Sequence, residues 1–382
     1  MMPLHARRQG LALPAAVITL AIVSLFVAGS AFFTMQETRA ARNALTERAA
    51  LEAAEYGATA LARDWSPSQA LALPVGGTLG PFARTLAGRA TASARLTRVT
   101  ATTFWGVSEG AAGAMNTRTL ARRTVAVAYR LALAMPAVTA ALTVRDSARI
   151  TGGGIVSGAD SVAAGPVTVP ACRAAGPAVA GVAAPDSTHI CDGVCGGTTG
   201  NLRGAPPLRN DPAAADSLTY LMLGDRSWQD LTATADVVLP PNAIVTPAPV
   251  IAGGTCQRGL PGNWGDPGGG SDCATYFPII RAQGDITISG GSGQGILLAD
   301  GDVRLANGAD FAGLVVARDD IITLGGGTIR GAALAGDRRV GVGDHTIIGA
   351  GGLVQHSSCA LHAALQATAP LIRLRKRAWS EF

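Results

Sequence analysis

Hydrophobic positions fall into three regimes along this chain, and each predicts a different kind of element. Residues Leu11 to Phe33 carry no charge, and twelve of these 23 positions are Leu, Ile, Val or Phe. As a helix they extend roughly 35 Å, enough to cross a hydrocarbon core of about 30 Å. Pro14 falls in the first turn, where its missing N–H costs nothing. Arg7 and Arg8 precede the run, which predicts a cytoplasmic N-terminus and an exported remainder. A cleaved secretory signal, cut near Gly29-Ser30-Ala31, is the competing reading. The apolar run exceeds the usual core of about 7–15 residues in such signals, and the helical pattern continues past it.

That continuation, Met35 to Asp64, is the second regime. Ala41, Leu45, Ala49, Ala53, Tyr56 and Ala60 recur at helical spacing, and Leu51, Ala54, Ala58 and Leu61 form an adjacent stripe. Arg39, Arg42, Glu47, Arg48, Glu52 and Glu55 sit largely off that face. One helix of about 50 residues is therefore expected, greasy first and amphipathic afterwards. Trp65-Ser66-Pro67 ends it. Val125, Val127, Tyr129, Leu131 and Leu133 then alternate with Ala126, Ala128, Arg130 and Ala132, a half-buried strand. Thr91 to Val107 has looser strand character, so a small antiparallel sheet packed on the helix is predicted.

The third regime is a repeat. Gly295, Gly313, Gly331 and Gly349 fall 18 residues apart. The first three open similar runs: Gly295-Ile-Leu-Leu-Ala299, Gly313-Leu-Val-Val-Ala317 and Gly331-Ala-Ala-Leu-Ala335. Turns follow at Asp300-Gly301-Asp302, Arg318-Asp319-Asp320 and Gly336-Asp337-Arg338. A fixed short period of this kind predicts a parallel β-helix, because no single coil buries its inner face alone. A plain antiparallel sandwich is the alternative. Gly284-Asp285-Ile286-Thr287-Ile288 fits as an incomplete earlier coil. Cys359 to Thr368 reads as a helix capping the last coil, and the tail after Pro370 as a return to the head.

The fold class is thus α+β, mainly β. The expected units are a basic leader (1–10), a transmembrane helix (11–33), an amphipathic stalk helix (34–64) and a small β head (65–135). First solenoid strands (136–164) come next, then a Gly/Pro-rich, Cys-containing insertion (165–276). β-helix coils (277–352) and a cap helix with basic tail (353–382) complete the chain. Inside the insertion, Ser227 is placed to cap a short helix, with Asp230 three residues on.

Composition sharpens this picture. With 48 % hydrophobic residues the chain is not disordered, and with 15 % charged residues and 49 Gly it is not a long-helix bundle. The net charge of +5 is partly concentrated at the ends, in His5-Ala6-Arg7-Arg8 and in Arg373, Arg375, Lys376 and Arg377. No basic stripe interleaved with aromatics occurs, so no nucleic-acid partner is expected. The six cysteines, Cys172, Cys191, Cys195, Cys256, Cys273 and Cys359, all follow the apolar segment. An even count in an exported chain reads as disulfides, with connectivity open among 15 pairings. Free structural thiols and zinc are the rivals, although no second close Cys or His pair follows Cys191-x-x-x-Cys195.

The start of the chain resembles a family. Gln9-Gly10-Leu11-Ala12-Leu13, the apolar run and Ala49-Ala50-Leu51-Glu52-Ala53-Ala54-Glu55 are similar to the N-terminal region of PilX-type minor pilins and type IV pilus assembly proteins. The resemblance covers about the first 60 residues. It implies cleavage by a prepilin peptidase between Gly10 and Leu11, anchoring in the inner membrane, and association with other pilin-like subunits through the helix. The major-pilin pattern has Glu at the fifth mature position, where this chain has Ala15. The coils, by periodicity and composition, resemble bactofilin-type polymer-forming β-helices.

Catalytic chemistry is sparse. Gly290-Gly291-Ser292-Gly293-Gln294-Gly295 lacks the Lys-Ser/Thr of a phosphate loop and reads as a solenoid corner. His5, His189, His345, His356 and His362 are scattered. Asp302 and Asp320 lie one coil apart and could stack as an acid–base pair, but Asp is also favoured in turns for local hydrogen bonding. Asn263-Trp264-Gly265-Asp266 reads as a buried Trp anchor before a sugar platform. No catalytic, cofactor or metal residues are assigned. The expected function is assembly, priming or adhesion by a minor-pilin-like component. A membrane-tethered β-helix adhesin, and then a carbohydrate-active enzyme, are the alternatives.

Overall fold

The computed structural model describes residues 12–87, 90–113, 121–162, 169, 172–338, 345–374 and 379–381. The expected leader junction Gly10–Leu11 and the tail cations Arg375, Lys376 and Arg377 lie outside them. One helix runs unbroken from Ala12 to Arg63. Against its last turns lies an antiparallel sheet of strands Thr78–Thr85, Thr91–Arg98, Thr103–Ala112 and Ala121–Leu131. The chain's end returns to this sheet. Leu371–Arg373 pairs with Tyr129–Leu131, and Trp379–Glu381 with Val125–Val127.

Small residues explain how closely helix and sheet approach. The helix buries Ala50, Ala53, Ala54, Gly57, Ala58 and Leu61, a spacing of three and four that makes one narrow face. Strand Thr103–Ala112 alternates strictly, turning Phe104, Gly106, Ser108, Gly110 and Ala112 inward. A Cβ on Gly110 would lie 2.0 Å from the Ala50 carbonyl O, and one on Gly57 would lie 2.3 Å from the Ser108 Oγ. Tyr129 donates its hydroxyl to the Ala58 carbonyl. The packed face begins only near Ala50. Leu45, expected on the packing stripe, is exposed, and Tyr56 is partly so. The sheet is too short to reach the earlier turns.

The rest of the chain forms two parallel sheets that share one core. Strands Ser292–Ala299, Asp310–Ala317 and Thr328–Ala335 pair in register over eight residues at an 18-residue offset, Gly295 on Gly313 on Gly331. The facing sheet stacks Ile286–Ser289, Val303–Ala306 and Ile321–Thr323. Leu297, Val315 and Phe311 from one sheet meet Ile288, Val303, Leu305 and Ile321 from the other in the enclosed core. The fourth glycine, Gly349, does not continue the ladder. Gly331 pairs with His356, because the connection after Ala335 is longer.

Rows in space do not follow rows in sequence. The row beyond Thr328–Ala335 is composite: Leu353–His356 supplies its first half and Leu142–Val144 its second. Ile155–Ser157 then stacks on Leu353–Gln355, and Ala180–Ala184 on Ala140–Thr143. Leu202–Arg203 and Leu208–Asn210 extend that end. At the other end, Val237–Leu239 and Ala243–Val245 add rows below Ile280–Ala282 and Ile286–Ile288. The segment 165–276, expected as an insertion, therefore contributes strands to both ends. Its strands are short and rich in Ala and Val, and their partners lie far away in sequence.

The Ser358–Ala367 helix differs in place from the expected end cap. It packs across strands Ser292–Ala299, Asp310–Ala317 and Thr328–Ala335. Those strands are apolar on both faces. Leu297 points inward, whereas Ile296, Leu298, Leu314 and Val316 point outward and need a cover. Leu361 and Leu365 of the helix supply it, together with Leu223, Trp228 and Leu231. Each such fully buried side chain contributes about 1.5–3 kcal/mol. Trp228 opens the short helix Trp228–Ala233, where Ser227 and Asp230 form a capping box. Trp264 packs into the enclosed core, fully buried, edge-on to Phe311 at 6.2 Å, with its Nε1 donating to the Pro261 carbonyl.

Candidate functional site

The most distinctive surface is the free half of the long helix. From Leu13 to Arg48 nearly every residue is exposed, including Leu13, Val17, Ile18, Leu20, Leu25, Phe26, Phe32, Phe33 and Met35. Among the described residues it is the one helix long and apolar enough to cross a membrane, and none of that apolar window is buried in the protein. Monomeric proteins rarely present a contiguous apolar surface of this kind to water. The residues come from the run without charges, and Glu37 is the first ionisable group after it. Past that apolar stretch, the helix carries ion pairs. Arg48 bonds Glu52 at 2.9 Å within the helix, and Arg123 of the sheet bonds Glu47 at 2.8 Å.

The helix, head and body are also tied together by polar contacts. Arg98 is buried beneath the head. Its guanidinium donates to the carbonyls of Ala70 and Leu73 and to Gln366 Oε1 of the C-terminal helix. Trp65 Nε1 donates to the Ala369 carbonyl at 3.1 Å, and Arg130 pairs with Asp225. Burial pulls the Arg98 guanidinium below its ordinary value, and each hydrogen bond offsets part of that cost.

The acidic pair singled out in the repeat does stack, but as structural staples. Asp285 Oδ1 accepts the Asp302 N–H at 3.0 Å, and Asp302 Oδ1 accepts the Asp320 N–H at 3.3 Å. Asp320 Oδ1 in turn accepts the Thr346 hydroxyl at 3.1 Å. Asp302, Asp319 and Asp320 are buried and bring one carboxylate oxygen each within 4.8 Å of the others. Arg304 reaches Asp302 at 3.2 Å. Asp285 and Asp302 thus each hold the turn of the next row, and Asp320 holds the first residue of strand Thr346–Ile348. Of the Gly290–Gly295 run, read as a corner, only Gly290 and Gly291 form the turn, at positive φ, and Ser292 to Gly295 already belong to strand Ser292–Ala299.

The cysteines pair as Cys172–Cys359, Cys191–Cys195 and Cys256–Cys273. The first ties the early rows to the C-terminal helix. The second clasps the edge strands Ile190–Asp192 and Val194–Cys195. The third closes the loop that carries Trp264.

Beneath the first disulfide lies a group the sequence did not single out. Asp160 accepts hydrogen bonds from the Ser358 N–H and hydroxyl and from the Gly176 N–H. Burial raises its carboxyl, but these bonds win and hold it below the ordinary value. His356 Nε2 is 4.0 Å from Asp160, and its Nδ1 is 3.2 Å from the Gly331 carbonyl O. Burial pushes both His356 and His362 below their ordinary values, against the pull of Asp160. The folded state therefore favours neutral rings. Their contribution is fully present above about pH 6.5 and is lost as pH falls through the depressed folded values. Thermal melts between pH 8 and pH 5 are expected to be level down to about pH 6.5 and to fall below it. A His356→Gln, His362→Gln double variant should flatten that fall, and an equally steep fall in the variant would remove these rings as its cause.

Comparison with known proteins adds little to this geometry. No protein-family model matches the chain, and no curated protein matches it in sequence. Among solved structures, it is similar to the crystal structure of the competence-associated pilin ComZ from Thermus thermophilus. Identity is 12 %, with 88 % of this chain and 97 % of that chain covered, at a TM-score of 0.25. A score of that size does not equate two folds.

Proposed function

We propose that this chain is a membrane-anchored, pilin-like structural subunit whose exported body is a disulfide-fastened β-solenoid, acting by packing and not by catalysis. One observation carries the reading: a single unbroken helix presents an uncovered apolar half and then packs its last turns onto a sheet. Its 52 residues extend about 78 Å. Such a shape serves first as an anchor in the inner membrane and then as a stalk against the stalks of other pilin-like subunits. The leader up to Gly10 would be removed by a prepilin peptidase, leaving Leu11 as the mature N-terminus. The body, outside the membrane, would act in assembly or adhesion. The engagement of Asp302 and Asp320 in hydrogen bonds between rows weighs against a hydrolytic role.

Mass spectrometry of the protein purified from membranes tests this. A mature start at Leu11, with the chain in the membrane fraction, is expected. A start at Phe32, with the chain in the soluble fraction, would overturn the stalk reading. An intact Met1 in the membrane would leave a tethered solenoid and remove the pilin assignment.

A further inference from the structure

We propose that the body carries an oxyanion-binding cleft built on Arg145, Arg318 and Arg338, which takes a phosphate group or the carboxylate of an acidic sugar. The three arginines line one cleft of about 190 Å3, walled on the other side by Ser217, Tyr220 and Leu221. This is smaller than the roughly 300–1,000 Å3 of drug-sized sites, and it suits a single charged group.

The stacking of rows puts the cations there. Arg318 N bonds the Ala299 carbonyl, Gly336 N the Ala317 carbonyl and Arg145 N the Ala335 carbonyl, so these three residues occupy one column in successive rows. At about 4.8 Å per row, Arg318 and Arg145 start roughly 10 Å apart. Gly336, between them, has no side chain to fill the gap. Arg338 N bonds the Arg318 carbonyl at 3.1 Å, which brings the third arginine back beside the first. The column unites residues far apart in sequence, because Arg145 belongs to the early rows.

Charge balance favours an anion. Asp300 accepts from both Arg318 at 3.3 Å and Arg281 at 3.1 Å, so one carboxylate serves two guanidinia. Arg318 is held in place over the Trp228 ring at 5.8 Å. Among the described residues, neither Arg145 nor Arg338 has a carboxylate within ion-pair distance, and Arg145 Nε donates only to the Ala215 carbonyl. Asp337 and Asp211 are nearby carboxylates and their charge reaches the Tyr220 wall, but neither lines the cleft, where three guanidinia gather. Like charges gathered round one concavity repel, and a bound oxyanion reverses the sign of that interaction. Guanidinium forks match carboxylate and phosphate geometry, and the Ser217 hydroxyl offers a further donor.

Titration calorimetry of the full-length protein in neutral detergent is the test, with inorganic phosphate, galacturonate and galactose as probes. Saturable binding of phosphate or galacturonate, and none of galactose, is expected. Which anion binds more tightly identifies the source of the charge. Arg145→Gln and Arg338→Gln should each weaken binding by roughly tenfold, the loss of one charge-assisted bond. Arg95→Gln, on the exposed face of the head, should leave it unchanged. The proposal is overturned if neither anion binds saturably, if galactose binds as well, or if the Arg145→Gln, Arg338→Gln double variant binds like the parent. This outcome is independent of where the mature N-terminus lies.

Discussion

A chain with Cys172 and Cys359 both changed to serine is expected to lose about 5 kcal/mol of stability in its β-sheet body. The two residues are 187 positions apart, and cross-linking restricts the unfolded chain more as the enclosed loop lengthens. The same relation gives about 3 kcal/mol for Cys256–Cys273, with a separation of 17, and about 2 kcal/mol for Cys191–Cys195, with a separation of 4. In thermal melts the first pair should cost roughly 10 °C, and the three serine pairs should rank in that order. The ranking is the sharper test. If the Cys191–Cys195 pair costs most, the fastening is local to the edge strands, and the long-range tie between early rows and the C-terminal helix is not what steadies the body.

The second large effect lies at the seam between stalk and head. Gly110→Ala places a methyl group 2.0 Å from the Ala50 carbonyl O and 2.4 Å from the Ala54 N. Both are helix backbone atoms, so no side chain can swing aside. Overpacking of this kind typically costs about 1–3 kcal/mol, and a value near 3 kcal/mol is expected here. Gly262→Ala is the control, since nothing lies within 4 Å of its added carbon, and it should stay within about 0.5 kcal/mol. Melting curves of the two variants decide the matter. Indistinguishable midpoints would mean that the helix lifts off the sheet at little cost and that the stalk is not rigidly joined to its head.

These residues also mark how far the sequence could be read. The helix from Ala12 and the core of strand Ala121–Leu131 were legible because their periods of 3.6 and 2 run through contiguous residues, although the alternation continues to Leu133 and the strand stops at Leu131. The extent of helix packing was not. Ala41 and Leu45 fit the stripe as well as Ala53 does, and only the length of the sheet decides which are covered. Gly295, Gly313 and Gly331 disclosed the ladder because three rows follow one another in sequence. The joining of His356 to Gly331, and of Leu142 to Ala333, was invisible because the longer connection after Ala335 breaks the period. The Asp302–Asp320 stack was visible from spacing, whereas its use as a staple depends on which backbone N–H groups face it. The cleft of Arg145, Arg318 and Arg338 joins residues from separate parts of the chain, so no local motif announces it.

The composite row has a consequence for biogenesis. A spiral wound in sequence order could settle turn by turn as the chain lengthens. Here residues 140–157 meet one set of neighbours early, within residues 180–203, but the other only after residues 333–355 have arrived, and the head gains its edge strand only with Leu371–Arg373. Such distant pairing slows folding and lengthens the exposure of sticky intermediates. The central rows can therefore settle by themselves, but the stack is joined to its early rows only when nearly the whole polypeptide has been made.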